Sequence, residues 1–229
     1  MKKIISIVVM AIMFVAGAQA QSAIDMNRQQ NELNGILRKT LNAKPTKEAK
    51  KEAKQFMKQG WSVPAGERSI EQQITESQLL GAEVMADENG APTRRFIQHT
   101  AVTVAGTYNA AYATGRANAQ AEIANMLATE IAAAMKGKLD NSQQNTITAT
   151  SVDKYNQRIR SIVHESLTNS IPVLSMYRTL PNNNVEVQVR IAFDKKEVTA
   201  RLKRNLQKEL EVEGDELDGM IGGAMNNTL

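Results

Sequence analysis

The residues with the chemistry to bind a metal ion or move a proton are few and scattered. The chain has two histidines, His99 in a predicted strand and His164 in a predicted helix. Neither has a ligand-type residue at the spacing that its element would need to share a metal ion. We therefore expect both to be surface or hydrogen-bonded histidines.

Carboxylates and hydroxyls give no stronger signal. Asp87 and Glu88 fall in a predicted turn, and Glu122 and Glu130 are eight residues apart on a predicted helix. Acid–base hydrolysis needs two carboxyl groups in one cleft, which this spacing does not predict. No serine lies in a Gly-x-Ser-x-Gly turn, and no loop matches a phosphate or calcium motif. The sequence predicts no catalytic residue, metal site or cofactor; a hydrolase without these patterns is a third-ranked alternative.

Basic residues are concentrated between Arg38 and Lys58. Eight are found there: Arg38, Lys39, Lys44, Lys47, Lys50, Lys51, Lys54 and Lys58. Two interpretations stay open, a solvated helix rich in lysine, or a surface that binds an anionic envelope component. The segment has one aromatic residue, Phe56, on its apolar stripe, which argues against nucleic acid as a partner. We expect Phe56 and Trp61 to anchor this helix to the domain.

The opposite charge is found at the other end of the chain. Five acids and no base lie between Glu211 and Asp218, and the Gly, Met and Asn residues that follow favour a disordered tail over 211–229. The sequence suggests that the basic segment engages this acidic tail in the same or a neighbouring chain, so a homo-oligomer is one expected arrangement.

The first twenty residues have the pattern of a signal peptide. Lys2 and Lys3 precede a short apolar run, and Ala18-Gln19-Ala20 has the small-x-small form of a cleavage site, so the mature chain is expected to begin at Gln21 without a transmembrane span. The chain has 0 cysteines among 229 residues. This excludes disulfides, thiol catalysis and a lipid-attachment cysteine after the signal.

The clearest periodicity in the chain lies just before Asp194. Valine, isoleucine and phenylalanine occupy every second position from Val185 to Phe193, which is typical of a strand with one buried face. The apolar run 171–180 is its expected partner, joined through the turn residues 181–184. The exposed face of this hairpin would present Glu186, Gln188 and Arg190.

The remaining elements are mostly helical. A Ser69–Gln72 capping box opens one helix, Gly137 closes the alanine-rich helix 108–135, and Asp194 caps the last helix. The predicted segments are helices 21–42, 70–80, 108–135, 151–167 and 195–210, a short helix capped by Thr46 and stopped at Gly60, a strand at 94–105, and turns or loops at 86–93 and 140–149. This order favours an α+β fold, with an antiparallel sheet covered on one face by the two central helices. The expected domain covers 61–210, after a helical basic N-terminal extension at 21–60.

Several of these patterns occur together in one known family. They are the strand that ends at Val104-Ala105-Gly106, the small residues Ala117, Ala121, Ala124 and Ala128 with Leu127 and Ile131, and the strand 185–189. In these the chain resembles the LPP-type twenty-kilodalton outer-membrane lipoproteins, which are related to the N-terminal domain of a flagellar assembly protein. The 58–72 stretch is similar to exported proteins of gut and oral anaerobes. The resemblance implies a lipoprotein-like domain over about 55–205 and no catalytic residues; Gln21 stands where that family has its lipidated cysteine.

Together these features predict a non-enzymatic exported protein, periplasmic or associated with the outer membrane. It would be an interaction or structural module whose surface includes Lys47, Lys50, Lys51, Lys54, Glu186, Gln188 and Arg190. The alternative is a carrier of a small molecule or lipid, with an apolar pocket between the long helix and the sheet.

Overall fold

The computed structural model of the protein describes residues 27–86, 90–141, 149–167, 169–210 and 221, with side chains for all of these except 134–141, 149–156 and 207–210. The predicted signal peptide, Asp87, Glu88 and nearly all of the acidic tail lie outside this range. The chain divides into two compact units after Asn42. In the first, helix α1 covers residues 27–41 and passes through Gly35 without a break. This helix lies within the predicted 21–42 segment.

The second unit contains five helices and five strands among the described residues. The helices are α2 (Lys47–Lys58), α3 (Ile70–Ala82), α4 (Tyr108–Asn141), α5 (Ala149–Ser166) and α6 (Lys195–Leu210). The strands are β1 (Val84–Ala86), β2 (Pro92–Arg94), β3 (Phe96–Ala105), β4 (Ile171–Thr179) and β5 (Val185–Asp194). Helix α2 therefore packs as part of the second unit, although the sequence analysis assigned it to the N-terminal extension.

The main sheet has three antiparallel strands in the order β3-β5-β4. The β4–β5 hairpin confirms the prediction from the alternating valines. Its turn places Asn183 at a φ of 64°, which asparagine tolerates, and the Leu180 amide donates to the Asn184 carbonyl at 2.8 Å. Strand β5 is thus the centre of the sheet, hydrogen-bonded on both sides.

The core lies between this sheet and α4. Val187, Val189 and Ile191 on β5 are fully buried, together with Ile123 and Leu127 on α4. Small residues let α4 come close: a Cβ added at Gly115 would lie 3.3 Å from a methyl group of Val189. This arrangement confirms the α+β fold with helices packed on an antiparallel sheet.

Helix α4 runs further than its sequence predicted. It continues to Asn141, so Gly137 lies inside the helix and does not end it, and residues 140–141 are helical where a loop was expected. Its 34 residues make it about 50 Å long at roughly 1.5 Å per residue. Helix α5 packs on α4 and α6 through the apolar face that the sequence predicted, including Ile159, Val163 and Leu167.

The opposite face of the sheet is also covered over part of its area, which the sequence analysis did not predict. Helix α3 packs on β4, and α2 packs on α3. A second apolar cluster joins these elements: Ala49, Ala53, Trp61, Ile70, Ile74, Leu174 and Met176. Val102 and Val104, on strand β3, stay half exposed.

The segment between α3 and β3 differs from its prediction. Strands β1 and β2 pair as a small antiparallel sheet, with Val84 opposite Arg94, where a turn was expected over 86–93. The chain bends at Arg95, so β3 begins at Phe96 and not at Arg94. The Arg95 amide donates to the Glu83 carbonyl at 2.9 Å, and its buried side chain pairs with Asp194.

Candidate functional site

Helix α2 is held rigidly at its N-terminus. Thr46 caps it, accepting a hydrogen bond from the Ala49 amide at 3.0 Å through its side-chain oxygen. The same residue contacts α3 twice: its amide donates to the Thr75 hydroxyl at 3.2 Å, and its own hydroxyl donates to Gln78 Oε1 at 3.1 Å. The cap therefore fixes the start of α2 against α3.

The two faces of α2 differ sharply in burial. Ala49 and Ala53 have no exposed surface and pack in the second apolar cluster. All five lysines of the helix are exposed, and we call the four that the sequence predicted as a binding surface, Lys47, Lys50, Lys51 and Lys54, the lysine face. Because the helix also carries Lys58, Glu48 and Glu52, its net charge is +3. The lysine face thus presents four ammonium groups from one anchored helix, and Lys58 adds a fifth.

The two aromatic residues beside α2 have structural contacts. Trp61 is buried in the second apolar cluster, and the Arg178 guanidinium carbon lies 4.8 Å from the centroid of its ring. Phe56 is half-buried against the same cluster. Both therefore anchor α2 to the unit, as the sequence predicted.

The hairpin residues of the predicted surface are less accessible. Glu186, Gln188 and Arg190 are all half-buried, and Glu186 pairs with Arg178. Arg190 lies beneath α3, donating to the Ser77 hydroxyl at 3.0 Å and the Thr100 hydroxyl at 2.8 Å. Burial lowers the pKa of Arg190, and Glu52 on α2 partly opposes this shift. Arg190 thus joins α3 to the sheet, whereas Glu186 is held by Arg178 on the neighbouring strand.

The residues considered for catalysis are dispersed. His99 is half-buried on β3, and His164 is exposed on α5 beside a groove of about 390 Å³ between α4 and α5. Glu122 is exposed and Glu130 half-buried on α4. Within the described parts of the chain, no three His, Asp or Glu side chains are arranged to hold a metal ion.

One cleft in the second unit lies between the start of the long helix and the sheet, where the carrier alternative expected an apolar pocket, but its lining mixes polar and apolar side chains. It has a volume of about 280 Å³ and lies between the 67–73 segment, the start of α4 and strand β4. We call it the tyrosine cleft, and its lining residues are Glu67, Arg68, Gln73, Tyr108, Asn109, Tyr112, Pro172, Leu174 and Ser175. The rings of Tyr108 and Tyr112 are stacked, with centroids 5.8 Å apart and an angle of 21° between their planes.

Hydrogen bonds fix the polar groups of the tyrosine cleft. The Tyr108 hydroxyl lies 2.8 Å from the Ser175 hydroxyl, and burial raises the pKa of Tyr108. Gln73 accepts from the Ser175 amide at 2.6 Å and donates to the Arg68 carbonyl at 2.8 Å. Arg68 is itself paired with Glu76, whose pKa burial raises against the opposing effect of that guanidinium. Tyr108, Ser175, Gln73 and Arg68 therefore already have partners, whereas Asn109 and Glu67 are exposed.

The residues that line this cleft could not be named from the sequence because they are far apart in the chain. Tyr108 and Ser175 are 67 residues apart, and only the fold brings them together. The one local signal was the spacing of Tyr108 and Tyr112, which places two aromatic rings on one face at the beginning of a helix.

Comparison with known proteins found no matching family model, no matching curated protein and no matching solved structure. The described part of the chain has no helix with the length and apolarity to span a bilayer.

Proposed function

We propose that the protein is an exported, non-enzymatic module that binds an anionic component of the bacterial envelope through the lysine face of α2. The observation that carries this proposal is the exposure of Lys47, Lys50, Lys51 and Lys54 on a helix whose opposite side is locked by Ala49 and Ala53. Because the helix backbone is anchored, the four lysines project from one fixed element, and only their side chains have to be ordered on binding. Each lysine near an anionic membrane surface contributes roughly 1 kcal/mol of binding free energy.

Export is part of the same proposal and is supported by the sequence of the first twenty residues. The twin lysines, the apolar run and the Ala18-Gln19-Ala20 site favour secretion with cleavage before Gln21. Sequencing the N-terminus of the protein from an envelope fraction tests this. A chain that retains Met1 in the cytoplasmic fraction contradicts it.

The carrier alternative receives less support. Its pocket was expected to be apolar and to lie between the long helix and the sheet. At Gly115, α4 lies directly against Thr103 and Val189, and the tyrosine cleft at the start of α4 has a mixed polar and apolar lining. In the core between α4 and the sheet, Ile123, Leu127, Val187 and Val189 are fully buried in one continuous cluster. Close packing of this kind favours an interaction module over a lipid carrier.

The binding surface is tested with vesicles. The mature chain from Gln21 onward is sedimented with vesicles of phosphatidylglycerol and, separately, of phosphatidylcholine. A variant with lysine-to-glutamine changes at 47, 50, 51 and 54 is compared with wild type. We expect binding to phosphatidylglycerol only, a loss of at least tenfold in the variant, and a fall in binding as salt screens the charges.

A matched control removes the same number of charges elsewhere. Arg94, Arg158, Arg160 and Arg204 are exposed and lie outside α2, so their change to glutamine lowers net charge by the same 4 units. We expect this control to keep at least a third of the wild-type affinity. Equal losses in the two variants, or an absence of binding to anionic vesicles by the wild type, would overturn the proposal.

A further inference from the structure

We infer that the tyrosine cleft is a binding site for a neutral carbohydrate of one or two sugar rings. The inference depends on the cleft alone and is independent of the function proposed for the lysine face. Three features carry it: the stacked tyrosine pair, the neutral polar groups around that pair, and the neutralised guanidinium of Arg68.

The aromatic part of the cleft is a platform. Tyr108 and Tyr112 are nearly parallel at 5.8 Å, which is too close for a ligand to enter between their rings. Tyr177 meets Tyr108 edge-on, with centroids 5.4 Å apart, and fixes its orientation. A platform of this kind offers ring faces and edges to a flat ligand with an apolar side, and the C–H face of a pyranose ring has that form.

The polar part of the cleft suits hydroxyl groups. Asn109 is exposed and presents both donor and acceptor atoms, and the Ser175 and Tyr108 hydroxyls each keep further hydrogen-bonding capacity beyond the bond that joins them. Glu67 adds a carboxylate acceptor at the edge. Sugar hydroxyls both donate and accept, so they match this mixture better than a purely anionic or purely cationic ligand does.

Charge argues against the two other ligand classes. A phosphate or carboxylate ligand needs a free cation, and Arg68 is already paired with the buried carboxylate of Glu76. An organic ammonium ion is favoured by rings that surround it and by an enclosed anion. Here the two rings are stacked on each other, and Glu67 is exposed to solvent.

The size of the cleft sets the size of the ligand. A volume of about 280 Å³ is just below the lower end of the roughly 300–1,000 Å³ usual for small-molecule sites. The site therefore fits one or two sugar rings of a longer glycan.

The test is an NMR titration of the full mature chain. Chitobiose, cellobiose and maltose are added separately to ¹⁵N-labelled protein. We expect saturable shifts for at least one sugar, confined to the amides around Tyr108, Asn109, Gln73 and Ser175. An absence of saturable shifts for all three sugars, or shifts located elsewhere in the unit, would overturn the inference.

Variants then assign the binding to the platform and its polar rim. Tyr112→Ala removes half of the platform and should weaken binding at least tenfold, whereas Tyr112→Phe keeps the ring and should stay within about threefold of wild type. Asn109→Ala should weaken binding roughly two- to tenfold. Its matched control is Asn125→Ala, because Asn125 is also exposed on α4 but lies outside the cleft.

Two further measurements test whether the cleft, and a sugar rather than a cation, accounts for the binding. Circular dichroism shows whether Tyr112→Ala folds. If it does not, Asn109→Ala still measures the contribution of the cleft to sugar binding, because Asn109 is exposed and its change should not affect folding. Equal effects of Asn109→Ala and Asn125→Ala would contradict the assignment. Tetramethylammonium is titrated as a competing probe; if it binds in the cleft more tightly than any sugar and Glu67→Gln abolishes that binding, the site recognises cations and the inference is wrong.

Discussion

The side chain of Asp194 joins three elements. Its Oδ2 accepts hydrogen bonds from Arg95 Nε at 2.9 Å and Nη2 at 2.7 Å, and its Oδ1 accepts from the Lys196 amide at 2.9 Å. One carboxylate thus ends β5, pairs with the arginine before β3 and caps α6. Both charged side chains are almost completely buried and have lost their hydration. Each charge is therefore stabilised by the opposite charge of its partner in place of water.

This dependence predicts a large cost for neutralising Asp194. Asp194→Asn keeps an oxygen for the cap of α6 but removes the charge that faces Arg95. We expect the free energy of unfolding in urea to fall by about 3 kcal/mol, the cost of breaking a buried pair. The control is Glu197→Gln, which breaks the more exposed pair with Arg201 and should cost less than about 1 kcal/mol. Similar losses in the two variants would contradict this account.

Lys195 presents the opposite case, a buried charge without an acidic partner among its described contacts. It is fully buried, and its ammonium group has one long hydrogen bond, 3.4 Å to the Thr93 hydroxyl. Burial lowers the pKa of Lys195, and the neighbouring charge of Arg94 lowers it further. In the unfolded chain the lysine binds its proton more tightly than in the folded chain. Its contribution to stability therefore rises as pH increases from the depressed folded pKa towards the ordinary lysine pKa.

Replacing Lys195 by methionine tests this sign. Lys195→Met removes the buried charge while keeping the length of the side chain. At pH 7 we expect the variant to be as stable as wild type or more stable by about 1 kcal/mol, with the difference shrinking as pH approaches 10. Urea unfolding at several pH values measures it, and Lys58→Met, at an exposed position, should show no such trend. A variant that is much less stable at pH 7 would show that the ammonium group is needed in its charged form.

At the scale of elements, the position of α4 depends on Gly115. An added Cβ would lie 3.0 Å from Thr103 Oγ1 and 3.3 Å from Val189 Cγ2. Thr103 is held by a 2.6 Å hydrogen bond to the Ala111 carbonyl, and Val189 is fully buried, so neither can move easily. Overpacking costs about 1–3 kcal/mol, which exceeds the roughly 1 kcal/mol that alanine gains over glycine inside a helix.

Gly115→Ala should therefore lower the free energy of unfolding by about 1 kcal/mol, the remainder after the helix gain is subtracted from a mid-range overpacking cost. Gly81→Ala, in α3, is the matched control. Its added Cβ would lie 3.5 Å from Gln98 Nε2, an ordinary contact, so we expect a gain of about 0.5 kcal/mol. Thermal unfolding shows whether each variant is less stable or more stable than wild type. A stabilised Gly115→Ala variant would mean that α4 is not held against β5 at this level.

Elements with a regular sequence pattern were predictable, and the others were not. The alternate valines of β5 and the capping box of Ser69 with Gln72 act over a few residues, and both are present as predicted. Strands β1 and β2 have three residues each, too few to show a period. The packing of α3 on the sheet was missed because its buried face includes polar residues such as Gln73, Thr75 and Ser77. Gln73 and Ser77 bond to Ser175 and Gln98 on later strands, and Thr75 accepts from the Thr46 amide. The two sides of the tyrosine cleft are likewise far apart in the sequence.

At the scale of the whole molecule, one residue of the predicted tail, Ile221, packs in the core of the second unit. Ile221 is almost fully buried and belongs to the same core as Leu202 and Leu206 of α6, the one that lies between the sheet and α4. The rest of the predicted disordered tail lies outside the described residues. A test of attraction between the acidic tail and the basic segment should therefore change charges between Glu211 and Asp218 to amides, because deletion of 211–229 also removes Ile221.

The burial of Ile221 predicts that this position stabilises the fold. Ile221→Ala removes most of a buried side chain and should lower the free energy of unfolding by about 3 kcal/mol, while Ile221→Val should cost about 1 kcal/mol. The graded pair is informative because both changes keep the chain length and every charge of the tail. Urea unfolding followed by far-UV circular dichroism measures the two losses. If both variants unfold at the wild-type midpoint, Ile221 does not belong to the core, and deleting 211–229 becomes a clean test of the tail's charge.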